Sequence, residues 1–270
     1  MTQYLLIHVG KCGGGNIFKK LGTSKYAILK VINSKVCCCE IIDDREVISN
    51  RTYKLGYIHT HNHIQEHRIQ ILNECSEYIL LCRDPITRFI SIFNAWYEIY
   101  YLKNNPKEYT TQDEIKLKSH YPEYDKYFDV FKSANHLAES LNIENAQYDF
   151  AVEAVGCIAH FRQGIKYYLQ NEEVIKKNIK KFKYVLRIEH YEDDYAKIDK
   201  EILKKYNLTS LSYDDFIKNL VHKTNKTHLN QYLSSESIQN IKDFYKGDYD
   251  IFDILVKYNI IEQDYIDKFI

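Results

Sequence analysis

The chain contains 270 residues, of which 45% are hydrophobic and 27% are charged. This size and composition predict a folded globular protein, with a single domain over residues 1–270, and exclude a disordered, collagenous or fibrous chain. Lysine plus arginine and aspartate plus glutamate both number 37, so the formal net charge is zero and there is no global excess for coating nucleic acid or an anionic membrane. We therefore expect no nucleic-acid partner, and any anion site has to be local.

The cysteines and the apolar segments indicate in which cellular compartment the protein is found. The seven cysteines are odd in number, and three of them are contiguous at Cys37, Cys38 and Cys39, which fits neither a disulfide framework nor a metal knuckle. The apolar run at residues 4–9 is too short for a membrane span and lacks the flanks of a signal peptide. These features predict reduced thiols, a cytoplasmic location and no membrane span.

Short apolar runs alternate with helical patterns along the chain. The apolar runs predict strands at residues 4–9, 26–32, 36–42, 57–59, 78–82 and 184–188. Apolar residues with helical spacing predict helices at residues 17–21, 86–102, 127–141, 173–182, 196–206 and 238–245. This alternation predicts a three-layer α/β domain, in which a mostly parallel sheet is flanked by helices.

A glycine-rich loop after the first predicted strand is the first candidate site. Its residues are Lys11, Cys12, Gly13, Gly14, Gly15 and Asn16. Backbone N–H groups of such a loop approach an anion closely, and the N-terminus of the following helix adds partial positive charge. The loop is not a Walker A sequence, because its lysine precedes the glycines and an asparagine follows them. A phosphate or sulfate site is one interpretation, and a plain strand-to-helix turn is the other.

The second candidate site follows the predicted strand at residues 78–82. Arg83 lies at the carboxyl end of that strand, Pro85 lies in the first turn of the next helix, and Ser91 lies two turns into it. A forked guanidinium, a helix N-terminus and a hydroxyl suit one phosphate, and open α/β sheets bind ligands beyond the carboxyl ends of their strands. The structural alternative is an Arg-Asp pair that caps the helix. Arg88, one turn inside the helix, is expected to be structural and to pair with Asp84, four positions before it.

Together the two segments resemble the donor motifs of sulfotransferases that use 3′-phosphoadenosine 5′-phosphosulfate (PAPS). Residues 7–16 resemble the 5′-phosphosulfate loop of this family, and residues 83–91 are similar to its RDPxxRxxS motif for the 3′-phosphate. Residues 223–226, 233–236 and 248–252 resemble the basic loop and closing helices of the carbohydrate-modifying branch. The resemblance implies a P-loop-like sulfotransferase fold, PAPS as donor, adenosine 3′,5′-bisphosphate (PAP) as product, and no metal.

The resemblance also implies roles for individual residues. Lys11 and the loop N–H groups would stabilise the charge that moves onto the leaving phosphate. Arg83 and Ser91 would hold the 3′-phosphate, and Lys223 and Lys226 would close over the donor. Loop hydroxyl residues usual in the family are replaced by Cys12, Gly15 and Asn16, and its usual proline by Gly10. A catalytically inactive PAP-binding module is therefore an alternative function.

A run of histidines provides candidates for the base. His59, His61 and His63 would share one face of an extended strand. The segment around His59 and His61 resembles the His-x-His pair of heparan and uronyl 2-O-sulfotransferases, and histidine can accept a hydroxyl proton near neutral pH. We expect His61 to be the base before His59, with Glu189 next.

The same histidine run has two other interpretations. A metal-dependent hydrolase could use His59, His61 and His63, although no compelling second cluster supplies the remaining ligands. A histidine-rich surface is the other. The resemblance favours a hydroxyl acceptor on a saccharide or glycoconjugate, and it leaves the oligomeric state open.

Overall fold

The computed structural model describes residues 2–12, 27–31, 53–58, 72, 77–106, 117–118, 120–198 and 231–269. The chain divides into two compact units. The first unit is drawn from residues 1–83, 163–221 and 250–268, and the second from residues 84–162, 222–249 and 269–270. The single domain over residues 1–270 stays a prediction.

The first unit is built on a five-stranded sheet. Its strands are β1 (Thr2–His8), β2 (Ala27–Val31), β3 (Tyr53–Ile58), β4 (Glu77–Cys82) and β5 (Phe182–Arg187). The strand order is β2-β3-β1-β4-β5, and every neighbouring pair is parallel. The predicted α/β fold with a mostly parallel sheet is confirmed. The predicted strand at residues 36–42 lies outside the described residues.

The sequence of β4 explains its place inside the sheet, between β1 and β5. Tyr78, Ile79, Leu80 and Leu81 are all buried, as expected for a strand that is covered on both faces. β1 pairs with β4 in a register that places Ile7 opposite Leu80, and β5 pairs with the other side of β4. Because these three strands are parallel, the residues that follow each of them meet at one edge of the sheet.

Helices account for most of the remaining described residues. In chain order they are α1 (Pro85–Asn104), α2 (Asp125–Val130), α3 (Ala134–Glu139), α4 (Tyr148–Cys157), α5 (Ile165–Leu169), α6 (Glu172–Asn178), α7 (Tyr191–Ile198), α8 (Ser235–Phe244), α9 (Lys246–Lys257) and α10 (Gln263–Ile266). Short 3₁₀ turns occupy Pro122–Tyr124, Ile179–Lys181 and Ile188–His190.

The second unit has its own apolar core, to which α1 contributes one face. Ile86, Phe89, Ile92 and Phe93 recur at helical spacing along α1, and all four are buried in that core. The Asp84 carboxylate caps the start of α1, where it accepts hydrogen bonds from the backbone N–H groups of two residues in the first turn. The predicted helix at residues 86–102 is confirmed, and so is a helix cap by the aspartate of the motif.

The predicted helix at residues 127–141 is wrong as a single element, because α2 and α3 divide it. Phe131 is extended (φ −87°, ψ 104°) and ends α2, yet its ring stays buried in the core. Ser133 is extended too, and its hydroxyl accepts a hydrogen bond of 3.1 Å from the N–H of His136 at the start of α3. The buried ring preserves the apolar periodicity across the break, while the serine caps a new helix.

Candidate functional site

Five of the predicted site residues lie in the described part of the chain: Lys11, Cys12, Arg83, Ser91 and Glu189. The others lie outside it, namely Gly13, Gly14, Gly15, Asn16, His59, His61, His63, Lys223 and Lys226. The roles assigned to this second group stay predictions. What the structure describes is therefore the part of the predicted site that belongs to the edge of the sheet and to α1.

Three chain segments meet at the carboxyl edge of the sheet in the first unit. Lys11 follows β1, Arg83 follows β4, and Glu189 follows β5. The Nη1 atom of Arg83 donates a hydrogen bond of 3.3 Å to the carbonyl oxygen of Lys11. The Nε atom of Arg83 lies 4.0 Å from Oε1 of Glu189. The structure thus brings the first residue of the glycine loop, the arginine of the second motif and the third candidate base into one cluster.

The backbone turn at Lys11 sets the direction in which the chain leaves β1. Lys11 has a φ of 66°, in the left-handed region that non-glycine residues seldom adopt. The N–H group of Cys12 donates a hydrogen bond of 3.1 Å to the carbonyl oxygen of Val9, which closes the turn. The turn begins the glycine loop at a defined position, and it directs the Lys11 carbonyl group toward Arg83.

The thiol of Cys12 is directed into the protein and not toward an open surface. Cys12 is buried, and its Sγ atom lies 3.9 Å from the carbonyl oxygen of Gly10. Its N–H group is used by the turn to Val9. The structure therefore shows Cys12 supporting the start of the loop, and a contact between Cys12 and a donor molecule stays a prediction.

A second buried thiol lies below Arg83, at the end of β4. The Sγ atom of Cys82 donates to the hydroxyl oxygen of Tyr265 over 3.9 Å. Burial raises the pKa of the Cys82 thiol well above its ordinary value, and the nearby Cys12 and Glu189 add to this effect. Cys82 is thus a neutral thiol near neutral pH, and it has a packing role.

Tyr265 is a member of the cluster that the sequence reasoning missed. Its ring is buried in the first unit, and its hydroxyl group donates a hydrogen bond of 2.8 Å to Oε2 of Glu189. Burial raises the pKa of Tyr265, and the neighbouring Cys82 and Glu189 raise it further. Tyr265 therefore keeps its proton and remains a donor to Glu189. No local motif marks this tyrosine, which is 183 positions from Cys82 in the sequence.

Ion pairs made by the buried Arg187 hold the end of β5 in place. Arg187 donates two hydrogen bonds of 2.7 Å to the two carboxylate oxygens of Asp194, and its Nη1 atom donates a third of 2.9 Å to Glu262. The hydrogen bonds that Arg187 donates to Asp194 raise the pKa of Arg187, against the opposing effect of burial. These bonds connect β5 with α7 and with the residue before α10, the helix that carries Tyr265.

Within the second unit, the rest of the motif lies on α1. Ser91 is half-buried in the second turn of this helix. Arg88 is almost fully buried, with 1% of its side chain exposed, and it donates hydrogen bonds of 2.9 and 3.3 Å to the carbonyl oxygens of His160 and Phe161. Its Nη2 atom lies 3.8 Å from the Asp248 carboxylate. These contacts agree with the predicted structural role of Arg88, and the carboxylate that it faces is Asp248, whereas the predicted partner was Asp84.

The described ranges contain neither a metal-binding cluster nor a helix that could cross a membrane. They contain no group of three or more histidine, cysteine, aspartate or glutamate side chains that could hold a metal ion. The histidine run behind the metal alternative lies outside those ranges, so that alternative is untested. Among the helices that the structure describes, none combines the length and apolarity needed to cross a membrane.

Comparison with known proteins identifies the family. The family model described as the sulfotransferase family matches residues 6–255, which is most of the chain. The matched range contains Lys11, Arg83 and Glu189. A search of curated proteins finds no match. The match confirms the family that the sequence resembles, and this chain belongs to the sulfotransferase family.

Proposed function

We propose that this protein transfers the sulfuryl group of PAPS to a hydroxyl acceptor, with the donor bound at the carboxyl edge of the sheet in the first unit. The observation that carries the proposal is the hydrogen bond of 3.3 Å from Arg83 to the carbonyl group of Lys11. It joins the two segments that resemble the donor motifs of the family. The location agrees with the general rule that open α/β sheets bind ligands beyond the carboxyl ends of their strands.

The charges at this edge suit a donor with two anionic ends. PAPS carries a 3′-phosphate and a 5′-phosphosulfate. Arg83 keeps 24% of its side chain exposed, and its forked guanidinium matches a phosphate group. Lys11 is half-buried and supplies a second cation at the start of the glycine loop. In the proposal Arg83 binds the 3′-phosphate with Ser91, which is assigned from its place in the motif, and Lys11 serves the 5′ side.

The proposed reaction is an in-line displacement at sulfur. The bond between sulfur and the 5′-phosphate oxygen breaks while a bond forms between sulfur and the acceptor oxygen. The acceptor proton passes to His61, or to His59 if His61 does not serve, and PAP leaves with the electron pair of the broken bond. Lys11 and the loop N–H groups stabilise the negative charge on the leaving phosphate.

Glu189 is the weaker candidate for the base. Its Oε2 atom accepts the hydrogen bond from Tyr265, and its Oε1 atom faces Arg83. A carboxylate with these partners is suited to holding a tyrosine and an arginine in place. For this reason the proposal keeps the histidines as the base.

The acceptor, the closing loop and the compartment are proposed on other grounds. The resemblance to carbohydrate-modifying members favours a saccharide or glycoconjugate hydroxyl as the acceptor. The same resemblance assigns Lys223 and Lys226 to a loop over the donor. The cytoplasmic location rests on the odd number of cysteines and on the three that are contiguous.

A transfer assay with labelled PAPS tests the proposed activity. Purified protein is incubated with PAPS that carries a labelled sulfuryl group and with a panel of saccharides, and labelled product and PAP are measured together. We expect product with at least one saccharide, and we expect His61→Ala to lower the rate by about 10²–10⁴-fold. His67→Ala is the matched control, because His67 lies six positions after His61 in the sequence and outside the His-x-His pair, and it should leave the rate unchanged. Product on non-sugar acceptors alone would contradict the saccharide assignment.

A PAP-binding protein without turnover is the second candidate. It is favoured by the burial of the Cys12 thiol, since this side chain stands where the family usually has a hydroxyl. This candidate predicts tight PAP binding with no labelled product on any acceptor. Stoichiometric zinc in the purified protein, with no PAP binding, would instead favour the metal-dependent hydrolase based on His59, His61 and His63.

A further inference from the structure

Arg83 lies between two oxygen acceptors in the first unit. Its Nη1 atom donates to the Lys11 carbonyl oxygen at 3.3 Å, and its Nε atom faces the Glu189 carboxylate at 4.0 Å. These two atoms lie on different edges of the planar guanidinium group. A hydrogen bond at one edge and a carboxylate at ion-pair distance from another favour one orientation of the plane, so the arginine loses less conformational freedom when it binds a ligand.

Glu189 is itself held by a buried tyrosine. The hydroxyl group of Tyr265 donates to Oε2 of Glu189 at 2.8 Å, which leaves Oε1 to face Arg83. The Tyr265 ring is fixed by Arg187, whose guanidinium carbon lies 5.4 Å from the ring centroid, and by Phe252 at a centroid distance of 6.3 Å. The orientation of the carboxylate thus depends on a ring that is packed into the first unit.

We propose that Tyr265 and Glu189 form a positioning pair that orients the Arg83 guanidinium for the 3′-phosphate of the donor. This inference rests on the proposed function and names how its phosphate arginine is held. Tyr265 lies beyond residue 255, where the match to the family model ends. The C-terminal segment that carries α10 therefore supplies a residue to the donor site.

The pair affects selectivity for the 3′-phosphate more than total affinity. A carboxylate beside Arg83 partly offsets the positive charge that attracts the phosphate. The contribution of Glu189 to binding is therefore the orientation that it gives the guanidinium group. A ligand without a 3′-phosphate makes no use of an oriented Arg83. The two ligands PAP and adenosine 5′-monophosphate (AMP) differ only by that phosphate, and the ratio of their dissociation constants isolates the effect.

Tyr265→Phe is the first test, because it removes one hydroxyl group and keeps the packed ring. We expect PAP to bind about 3–10-fold more weakly and AMP affinity to stay within about twofold, as for the loss of one hydrogen bond. Tyr258→Phe is the matched control. The Tyr258 hydroxyl donates to Oε1 of Glu172 at 3.0 Å in the same unit, and its loss should change neither dissociation constant.

Glu189→Gln provides a second variant, which keeps the shape of the side chain and removes its charge. We expect the preference for PAP over AMP to fall as in Tyr265→Phe, with a smaller loss of PAP affinity because the charge that offsets Arg83 is removed. The double variant should lose no more PAP affinity than the single variant that binds PAP more weakly, because Tyr265 acts on Arg83 through Glu189. Thermal unfolding of each variant is measured alongside. A general loss of structure would lower the unfolding temperature and would weaken PAP and AMP binding equally.

The outcomes separate this inference from the proposed function. If the unsubstituted protein prefers PAP to AMP and both variants keep the full preference, the positioning pair is wrong and the proposed function stands. Equal weakening of PAP and AMP would also overturn the inference, because it would reveal a purely structural role. If the unsubstituted protein shows no preference for PAP, the proposed function fails and the inference falls with it.

Discussion

The two arginines of residues 83–91 have opposite environments, although they are five positions apart in one motif. Arg88, in the second unit, has 1% of its side chain exposed and binds two carbonyl oxygens, the Asp248 carboxylate and the Tyr245 ring. Arg83, in the first unit, has 24% of its side chain exposed and faces its carboxylate partner only at 4.0 Å. The buried arginine stabilises the fold, and the partly exposed arginine can exchange its contacts for a ligand.

The largest expected effect is on stability, at Arg88. We expect Arg88→Ala to lower the free energy of unfolding by about 3–5 kcal/mol, because it leaves the buried Asp248 carboxylate without its cation. Urea unfolding followed by circular dichroism measures the change. Lys126→Ala is the control, since Lys126 and Glu153 form an exposed pair whose loss should change the free energy of unfolding little. If Arg88→Ala lowered the free energy of unfolding no more than Lys126→Ala, a structural role for Arg88 would be contradicted.

The next largest effect on stability is expected at Tyr245, whose ring lies against the Arg88 guanidinium group. The Tyr245 hydroxyl donates a hydrogen bond of 2.8 Å to the Phe161 carbonyl oxygen, which Arg88 also contacts. Tyr245→Phe should lower the free energy of unfolding by about 1 kcal/mol, which is typical for one buried hydrogen bond. The same urea titration measures it. An additive loss in the double variant with Arg88→Ala would show that the two donors act independently on that carbonyl group.

A small effect on stability is expected at Arg83. Its carboxylate partner is distant and both side chains are partly exposed, so Arg83→Ala should change the free energy of unfolding by less than about 1 kcal/mol. The measurement is again urea unfolding, run beside Arg88→Ala. A loss at Arg83 as large as that at Arg88 would mean that both arginines are structural, and the division of roles would be wrong.

The smallest effect concerns the chemistry of the thiols, with no change in stability. Burial raises the pKa of Cys82, so its thiolate stays scarce as the pH rises from 7 to 9. We expect iodoacetamide to label exposed Cys157 in the native protein and to leave Cys82 unlabelled until urea is added. Peptide mass spectrometry after timed labelling distinguishes the sites. Rapid native labelling of Cys82 would contradict the buried sheet edge below Arg83.

The sheet edge can be predicted from sequence because its signals are local. A continuous apolar run predicts β4, and the Arg83-Asp84-Pro85 sequence after it predicts both a helix start and a phosphate site. Lys11 is predicted in the same way, from glycines that follow an apolar run. Such patterns depend on neighbours in the chain, and the described structure places Lys11 and Arg83 in hydrogen-bonding contact.

Other features of the molecule depend on contacts that are distant in sequence. Tyr265 reaches Glu189 across 76 positions, and nothing around either residue indicates this partner. Arg88 finds its acceptors 72 and 73 positions away. The break between α2 and α3 escapes prediction for a different reason, because Phe131 stays buried and so continues the helical pattern of apolar residues through an extended segment.

The donor site at Arg83 is tested by calorimetric titration of PAP and AMP into the unsubstituted protein and into Arg83→Ala. A charge-assisted contact to the 3′-phosphate predicts that PAP binds about 10–150-fold more tightly than AMP, and that the preference disappears in the variant. Arg83→Lys, which keeps the charge and loses the fork, should retain part of it. Equal affinities for PAP and AMP in the unsubstituted protein, or an undiminished preference in Arg83→Ala, would contradict a donor site at this arginine.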